Sequence, residues 1–371
     1  MALPAHCQKI VLFGLLLSSA VIEAENKVVP GLRSFRFHLN EGNQTLDETV
    51  KNHLTGSITT MMIPVILSII AIIGLPANGL ALLILVTKVQ RLPSTIFLMN
   101  LATADLLLIL VLPFKIHYHF QGNNWIFGEA LCRTMTAFFY GNMYCSILLL
   151  TVISVDRYFA LVHPFYSKGF RDNRFAVAAC FVIWALVGIF MIPLLLEKQV
   201  YSFQDPNITT CHDALPLKVD SSYFFYFFVC LVVVGFLIPC AVTVFCYVSI
   251  VRALLKSSDL FGQAVRNMVL VLITYVVCFA PSNIILLIHH SGLHFTNLYQ
   301  SYTISLMLST LNNCIDPFIY YYVSDEFRNK ARSVILSFTM KGKKSIKITQ
   351  PLMESGSSSV PESKATTEHT I

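Results

Sequence analysis

Charged side chains are scarce in this chain of 371 residues, at 12% of the total, whereas soluble globular domains carry about 25%. Hydrophobic residues make up 55% of the sequence, and its mean hydropathy is +0.67. A soluble fold could not bury this much apolar surface, and the same composition excludes disorder over most of the length. The chain is therefore predicted to be an all-α membrane protein that crosses the bilayer several times.

Patterns typical of several other protein classes are also missing. The 10 cysteines include no CxxC pair, which argues against a zinc module and against a disulfide-dense scaffold. The formal charge of +6 is too small and too dispersed to indicate nucleic-acid binding. The sequence contains no nucleophile-elbow, zinc-protease or phosphate-loop motif, so it is not predicted to be an enzyme.

The amino terminus has the features of a secretory signal. Lys9 precedes a short apolar run that is followed by the small residues Ser18, Ser19 and Ala20, as signal peptidase requires. Residues 1–20 are predicted to be this signal peptide, and a cut after Ala24 is the alternative. Residues 21–58 then form a polar extracellular segment. Acceptor sequons for N-glycosylation begin at Asn43 and Asn207, and both sites must lie outside the cell if both are used.

Seven long apolar runs follow, at about 60–87, 95–120, 130–161, 175–196, 222–254, 266–290 and 297–323. Eleven basic residues flank them on one side and three on the other, which orients the amino terminus outside the cell. We predict a multi-pass plasma-membrane protein whose seven-transmembrane helix bundle spans residues 59–323. A short amphipathic helix on the inner leaflet is predicted at 324–338, and a disordered, phosphorylatable cytoplasmic tail at 339–371.

Cys132 and Cys211 are predicted to form a disulfide. The third apolar run begins near Cys132 and ends 25 residues later at Arg157, a rise of about 37 Å in a helix. Cys132 therefore lies at the outer surface, and Cys211 lies in the longest outer loop. Apart from Cys7 in the signal peptide, these are the two cysteines placed firmly on the oxidising side.

Polar residues inside apolar runs are costly and are therefore candidates for function. Asp105, Asn142, Ser146, Asn312 and Asp316 come from several different runs, which suggests a single cluster in the interior of the bundle. Two carboxylates in one bundle need a shared cation or protons. The alternative interpretation is that these residues only join neighbouring helices.

Short motifs of one receptor family occur in order along the seven runs. They are Gly74-Leu75-Pro76-Ala77-Asn78, Asn100-Leu101-Ala102-Thr103-Ala104-Asp105, Asp156-Arg157-Tyr158, Trp184, Pro239 with Tyr247, Cys278-Phe279-Ala280-Pro281 and Asp316-Pro317-Phe318-Ile319-Tyr320. With these motifs, residues 58–340 resemble the rhodopsin-like (class A) G-protein-coupled receptors. The sequence departs from the usual pattern at Phe279, where that family has tryptophan, and at Asp316, where it has asparagine.

Within that family the sequence resembles the proteinase-activated receptors. The matching segments are residues 115–125, 139–146, 208–213, 279–283 and 314–317, and they resemble the second and third subtypes about equally. The resemblance implies partners inside the cell, namely a heterotrimeric G protein, arrestin and receptor kinases, in addition to membrane lipid and no nucleic acid. It requires no cofactor.

The resemblance also assigns roles to residues inside the bundle. Asp105, Asn142, Ser146, Asn312 and Asp316 fall where the family binds sodium, so a sodium ion is expected as an allosteric modulator. The expected G-protein switch consists of Asp156, Arg157, Tyr158, Tyr247, Pro317 and Tyr320. Arg157 is expected to pair with Asp156 in the inactive state and to meet the G protein when the sixth span swings outward.

Activation is predicted to follow proteolysis between Arg33 and Ser34. A trypsin-like serine protease, such as thrombin or trypsin, needs a basic residue in its specificity pocket, and Arg33 supplies one in a polar segment. The new amino terminus, a small residue and then an aromatic one, resembles the tethered ligands of this family, which implies a ligand made of Ser34, Phe35, Arg36, Phe37, His38 and Leu39. About 20 residues separate this ligand from the first span, which is ample length to reach back to a pocket.

The expected ligand pocket combines aromatic and polar side chains near the outer surface. Its candidates are His117, Tyr118, Tyr140, His212, Asp213, His290, Tyr299 and Tyr302. Aromatic rings with polar tips suit a peptide that has a cationic amino terminus and apolar side chains. The alternatives are a receptor for a free peptide or lipid, a cofactor receptor that presents protease to a related receptor, and a transporter or channel.

Overall fold

The structure is a computed structural model that describes residues 35–40, 43–45, 48–87, 89–163, 172–216, 221–254, 268–290, 298–323 and 326–333. The predicted signal peptide, the cleavage pair Arg33 and Ser34, and the tail beyond residue 333 lie outside these ranges. For residues 35–45 the backbone alone is described.

The predicted bundle of seven spans is present. Within the described ranges, six helical segments are long and apolar enough to cross a membrane: Val50–Thr87, Pro93–Phe120, Gly128–Val162, Asn173–Leu196, Phe227–Leu254 and Met268–Ile288. The seventh span consists of two consecutive helices, Leu298–Thr310 and Asn312–Val323, which pack against the first, second and sixth spans. Large apolar side chains such as Ile72 and Phe181 remain exposed on the outside of the bundle, where lipid covers them in a membrane.

Three spans contain a π-helical segment. These segments are Ile58–Met62 in the first span, Val233–Leu237 in the fifth and Thr274–Phe279 in the sixth. Those in the fifth and sixth spans end just before Pro239 and Pro281, because proline has no N–H with which to continue the ladder of backbone hydrogen bonds. The Ser309 hydroxyl of the seventh span donates to the carbonyl of Cys278 at 2.8 Å. The wider turn of the sixth span is thereby joined to its neighbour.

The interruption of the seventh span has a similar cause. Pro317 lies inside the helix Asn312–Val323 and cannot donate to the carbonyl four residues earlier, at Asn313. The Asn78 side chain of the first span donates to that carbonyl instead, at 2.8 Å. A polar residue of one span thus satisfies the backbone group that proline leaves open in another.

A hairpin covers the outer end of the bundle between the fourth and fifth spans. Its strands β3 (Val200–Phe203) and β4 (Ile208–Cys211) are antiparallel. The predicted disulfide is confirmed and joins Cys211 to Cys132 at the start of the third span, with a Cα–Cα distance of 5.8 Å. Seven further cysteines are free among the described residues, as expected for cysteines in apolar surroundings. Asn207, the second sequon, is exposed in the hairpin turn.

The extracellular amino-terminal segment has more structure than its polar sequence predicts. Strands β1 (Phe35–Asn40) and β2 (Asn43–Thr45) form an antiparallel hairpin, and β1 also pairs in parallel with β5 (Ala214–Pro216). Helix α1 (Glu48–Thr55) follows and forms the outer end of the helical segment Val50–Thr87, from which it is set off by a bend at Gly56. The sequence did not predict these elements, because strand pairing and helix docking depend on distant parts of the chain.

The described part of the predicted cytoplasmic helix is present and amphipathic. Residues 326–333 are helical, with Phe327 and Ala331 buried against the bundle. The ring of Phe327 packs edge-on against Tyr320 at a centroid distance of 6.3 Å. This contact fixes the helix directly to the end of the seventh span.

Candidate functional site

A narrow cleft opens toward the outer surface between the second, third and seventh spans. It is lined by Lys115, Met135, Thr136, Phe139, Tyr140, His212, Asp213, Thr303, Leu306 and Met307. The structure therefore brings together Tyr140, His212 and Asp213, three residues that the sequence predicted for a ligand pocket. The cleft combines aromatic rings, flexible apolar side chains, the cation Lys115 and one carboxylate, a lining whose chemistry suits a peptide. Its free volume is about 20 Å³, so these side chains must move apart before a peptide side chain can enter.

Asp213 is the acidic group of this cleft, and its carboxylate is held from behind. The fully buried hydroxyl of Tyr118 donates to Asp213 Oδ2 at 2.7 Å. Asp213 follows the disulfide-bonded Cys211 by two residues, and the backbone of His212 between them has a φ of 69°. This left-handed turn redirects the chain immediately after the disulfide, so that the carboxylate has a fixed position at the cleft.

Not every predicted pocket residue lines the cleft. The His117 ring packs against Phe127 at a centroid distance of 5.1 Å, and Tyr302 is buried outside the lining set. The side chains of His290 and Tyr299 lie outside the described residues. Sequence reasoning did not assign lining positions to Thr136 and the other helical neighbours of the predicted residues. Helical spacing could have found them, because Thr136 precedes Tyr140 by one turn.

The predicted tethered-ligand segment lies beside the cleft as a strand. In the parallel pairing of β1 and β5, Phe35 is opposite Ala214 and Phe37 is opposite Pro216. Strand β5 begins directly after Asp213. The backbone that follows the predicted cleavage site is therefore already paired with the loop that carries the cleft's carboxylate.

The five predicted polar residues of the interior belong to one hydrogen-bonded cluster or lie at its edge. Asn142 donates to Asp105 Oδ1 at 3.1 Å, and the Asn312 amide lies 3.2 Å from Ser146 Oγ and 3.4 Å from Asp316 Oδ2. Asp105, Ser146, Asn312 and Asp316 have no solvent exposure, and Asn142 is 6% exposed. They come from the second, third and seventh spans, so the cluster ties these helices together.

The two carboxylates of the cluster need either a cation or shared protons to balance their charge. Asp316 Oδ1 is buried and receives no hydrogen bond from the described part of the chain. Carboxylate, amide and hydroxyl oxygens are the donors that such a cation takes, and an isolated carboxylate in this environment is costly. Tyr320 was not predicted here, yet its hydroxyl lies 3.0 Å from Asn78 Oδ1 and 3.2 Å from Asp105 Oδ2.

The predicted switch residues near the cytoplasmic end contact residues of their own or neighbouring helices. Arg157 Nη2 donates to Asp156 Oδ2 at 2.7 Å, which is the pairing expected of the inactive state. The Tyr247 hydroxyl accepts from Ser154 at 2.7 Å, and the Tyr158 hydroxyl lies 3.0 Å from His163 Nε2. Tyr320 belongs to the interior cluster through Asp105, and Pro317 lies in the helix above it.

A second polar contact, which the sequence did not predict, joins the third, fifth and sixth spans. The buried Tyr275 hydroxyl donates to the carbonyl of Ile147 at 2.9 Å. It also lies 2.6 Å from the Thr151 hydroxyl and 3.4 Å from the Thr243 hydroxyl. Tyr275 is part of the π-helical segment of the sixth span, so this hub holds that span against its neighbours.

Comparison with known proteins agrees with this geometry. Residues 77–320 match the 7 transmembrane receptor (rhodopsin family). Proteinase-activated receptor 4 of Rattus norvegicus is 47% identical over 285 residues, covering 76% of this chain and 72% of the relative. Proteinase-activated receptor 3 of Homo sapiens is 44% identical over 291 residues, covering 77% and 76%. Proteinase-activated receptor 2 of Mus musculus is 42% identical over 302 residues, covering 79% and 75%.

These relatives extend the sequence resemblance from the second and third subtypes to the fourth. The family match covers six of the seven spans completely or nearly so, and it includes the cleft, the interior cluster and the Asp156-Arg157-Tyr158 motif. The chain is a multi-pass membrane receptor and not an enzyme: it belongs to the rhodopsin family of seven-transmembrane receptors and, within that family, to the proteinase-activated receptors.

Proposed function

We propose that this receptor is activated when a trypsin-like serine protease cuts between Arg33 and Ser34 and that the new amino terminus then acts as a tethered agonist. The observation that carries the proposal is the parallel pairing of β1 with β5 beside Asp213. The segment that would become the ligand is next to the cleft before any cut is made. Proteolysis then needs to supply only a free amino terminus.

The register of the two strands indicates how that terminus would bind. Phe35 is opposite Ala214, so one step back along both chains leads to Ser34 and Asp213. A released α-amino group has a pKa of about 7.7–8.0 and is mostly cationic at neutral pH. Its natural partner is the Asp213 carboxylate, with Phe35 inserted between the aromatic rings of the cleft.

The sequence around the cut suits more than one protease. Arg33 fits the specificity pocket of any trypsin-like enzyme, while Leu32 stands where proline would favour thrombin. Glu41, Asp47 and Glu48 form a thin acidic patch downstream, which could attract a basic protease surface. Thrombin and trypsin are therefore both candidate activators.

The effect of ligand binding in the cleft would reach the interior through the third and seventh spans. Tyr140 and Thr303 line the cleft, and the same two spans carry the interior cluster and the Asp156-Arg157 pair. Opening of the sixth span would free Arg157 from Asp156, so that Arg157, Tyr247 and Tyr320 could receive a heterotrimeric G protein. Receptor kinases and arrestin would act on the serine- and threonine-rich tail at 339–371.

N-terminal sequencing of the receptor at the cell surface tests the proposal directly. After brief exposure to trypsin, the new amino terminus is expected to read Ser34-Phe35-Arg36-Phe37. The catalytically inactive protease, added at the same concentration, should leave the original terminus in place. An activating cut after Lys27 or Arg36 instead would contradict the assignment.

We also propose that the interior cluster holds a sodium ion in the inactive receptor, with Asp105, Asn142, Ser146, Asn312 and Asp316 as its ligands. The buried and unsatisfied Oδ1 atom of Asp316 supports this assignment, because a cation would balance the two neighbouring carboxylates. A bound sodium ion would favour the inactive state and lower the potency of agonists.

Asp105→Asn is expected to remove the effect of sodium on agonist potency, since a neutral amide leaves the cation one charged ligand fewer. The measurement is the half-maximal concentration of the free peptide Ser-Phe-Arg-Phe-His-Leu, with sodium present or replaced by an organic cation. Tyr320→Phe is the matched control, because it removes a hydrogen bond to Asp105 but keeps both carboxylates, and its sodium shift should persist. An unchanged shift in Asp105→Asn would contradict the assignment.

A further inference from the structure

We propose that helix α1 (Glu48–Thr55) is a clamp that docks on the β3–β4 hairpin and shortens the tether of the agonist. This inference rests on the proposed function, because it concerns how the tethered ligand is positioned. It assigns a role in activation to residues that lie outside the cleft and outside the ligand itself. Three independent contacts hold the clamp in place.

The first contact is apolar. Val50 and Leu54 lie one helical turn apart on α1 and form a buried cluster with Ile208 of β4. Leu54 is only 2% exposed, although the helix is short and otherwise polar. Because α1 is set off from the rest of the first span by the bend at Gly56, this packing fixes its direction on the hairpin.

The second contact is a buried polar bridge from the outer end of the second span. The Asn123 side chain donates to the carbonyl of Leu54 at 2.5 Å, and its Oδ1 lies 2.6 Å from His119 Nδ1. Asn123 is 1% exposed and has a φ of 63°, a conformation that asparagine tolerates better than most residues. It therefore adds a short hydrogen bond to a carbonyl at the end of α1, which also accepts from the Thr59 hydroxyl at 3.3 Å.

The third contact is an ion pair between α1 and the turn of the β3–β4 hairpin. Lys51 Nζ of α1 lies 2.8 Å from Asp205 Oδ2 of that turn. The pair is exposed and so contributes little free energy of its own. It does, however, select one orientation of α1 on the hairpin, and it can be exchanged without disturbing the core.

The β3–β4 hairpin on which α1 docks is itself held in place by several contacts. Glu129 accepts from the backbone N–H groups of Gln199 and Val200 at 2.7 and 2.9 Å, which fixes the start of β3. The Asn124 side chain accepts from the N–H of Thr209 at 3.0 Å, and the disulfide holds Cys211. Movement of α1 relative to the cleft is thereby limited by contacts at both ends of the hairpin.

The clamp changes the number of residues between the ligand and its nearest fixed point. With α1 docked, that connection is residues 40–47, in which β2 already pairs with β1. Once α1 undocks and unfolds, the connection extends to about residue 57. Lengthening a flexible tether from about 8 to about 18 residues lowers the effective concentration of its end about three-fold, by the −3/2 power of length. A free peptide agonist has no tether and should not sense the clamp.

Charge exchange at Lys51 and Asp205 tests the clamp without removing a buried group. The measured quantity is the ratio of the response to saturating trypsin to the response to saturating free Ser-Phe-Arg-Phe-His-Leu. Lys51→Asp and Asp205→Lys should each lower this ratio by about two- to three-fold. The double exchange should restore the ratio. Asn52→Asp, an acidic substitution at the exposed neighbouring position of α1, should leave the ratio unchanged. All variants are made with Phe35→Leu, so that the weakened tethered ligand does not saturate the receptor.

The double variant Val50→Ala with Leu54→Ala removes more of the packing and should lower the same ratio about three-fold. Receptor at the cell surface is counted with an extracellular epitope on the carboxyl-terminal side of the cut. Equal ratios in all variants, or a parallel loss of the peptide response, would overturn the clamp. A parent receptor that answers trypsin but ignores the free peptide would instead contradict the proposed tethered agonist. The two failures are therefore distinguishable.

Discussion

Arg33→Ala is expected to abolish the response to trypsin or thrombin while leaving the response to free Ser-Phe-Arg-Phe-His-Leu intact. Alanine cannot fill a specificity pocket built for a basic side chain, so Ser34 keeps its peptide bond and acquires no charge. The β1–β5 pairing alone does not place a cation at Asp213. The measurement is intracellular calcium, or dissociation of the G protein, in cells with matched surface expression.

Lys27→Ala is the matched control, because it removes another basic residue of the same segment that lies upstream of the proposed ligand. Its response to protease should equal that of the parent receptor. A full protease response from Arg33→Ala would mean that the activating cut lies elsewhere. Silence of the parent receptor toward the peptide would show that the ligand sequence is wrong.

Asp213→Asn should raise the half-maximal concentration of the free peptide about 10- to 100-fold, since a hydrogen bond to a charged group contributes about 1.5–3 kcal/mol. Asparagine keeps the size of the side chain and can still accept from Tyr118, so the loop geometry is preserved. The change removes the negative charge that the amino terminus of the ligand would meet. The protease response should fall in parallel, because the same charge serves the tethered ligand.

Glu197→Gln is the matched control for this change. Glu197 is exposed at the outer end of the fourth span, so its neutralisation alters the outer charge equally but not the cleft. Tyr118→Phe removes the 2.7 Å hydrogen bond to Asp213 and should weaken the peptide less than Asp213→Asn does. Equal potency in Asp213→Asn and the parent would rule out this carboxylate as the binding partner.

The spans, their orientation and the disulfide could be predicted from the sequence because each depends on local composition or on one distance along a helix. Hydropathy identified each run, and the rise from Cys132 to Arg157 placed the cysteine on the outer side. The grouping of Asp105 and Asp316 was predictable for a related reason. Exposing a charged side chain to lipid is costly, so charged residues of several spans group in the interior of the bundle.

The parts that were not predicted depend on tertiary contacts. Val50 and Leu54 of helix α1 pack against Ile208, more than 150 residues away, and no local sequence pattern predicts that contact. The pairing of β1 with β5 likewise joins segments distant in sequence. Tyr320 was predicted as part of the G-protein switch, and its contact with Asp105 was not predicted, because that contact depends on how the second and seventh spans pack.

The contacts of the Tyr275 hydroxyl bear on the rate of activation. Its single hydroxyl touches the Ile147 carbonyl and the hydroxyls of Thr151 and Thr243, so an outward step of the sixth span withdraws it from all three together. Each hydrogen bond is worth about 0.5–1.5 kcal/mol, and we expect the loss of these contacts to contribute to the activation barrier. Tyr275 is therefore expected to affect the delay between the cut and the signal more than the height of the signal.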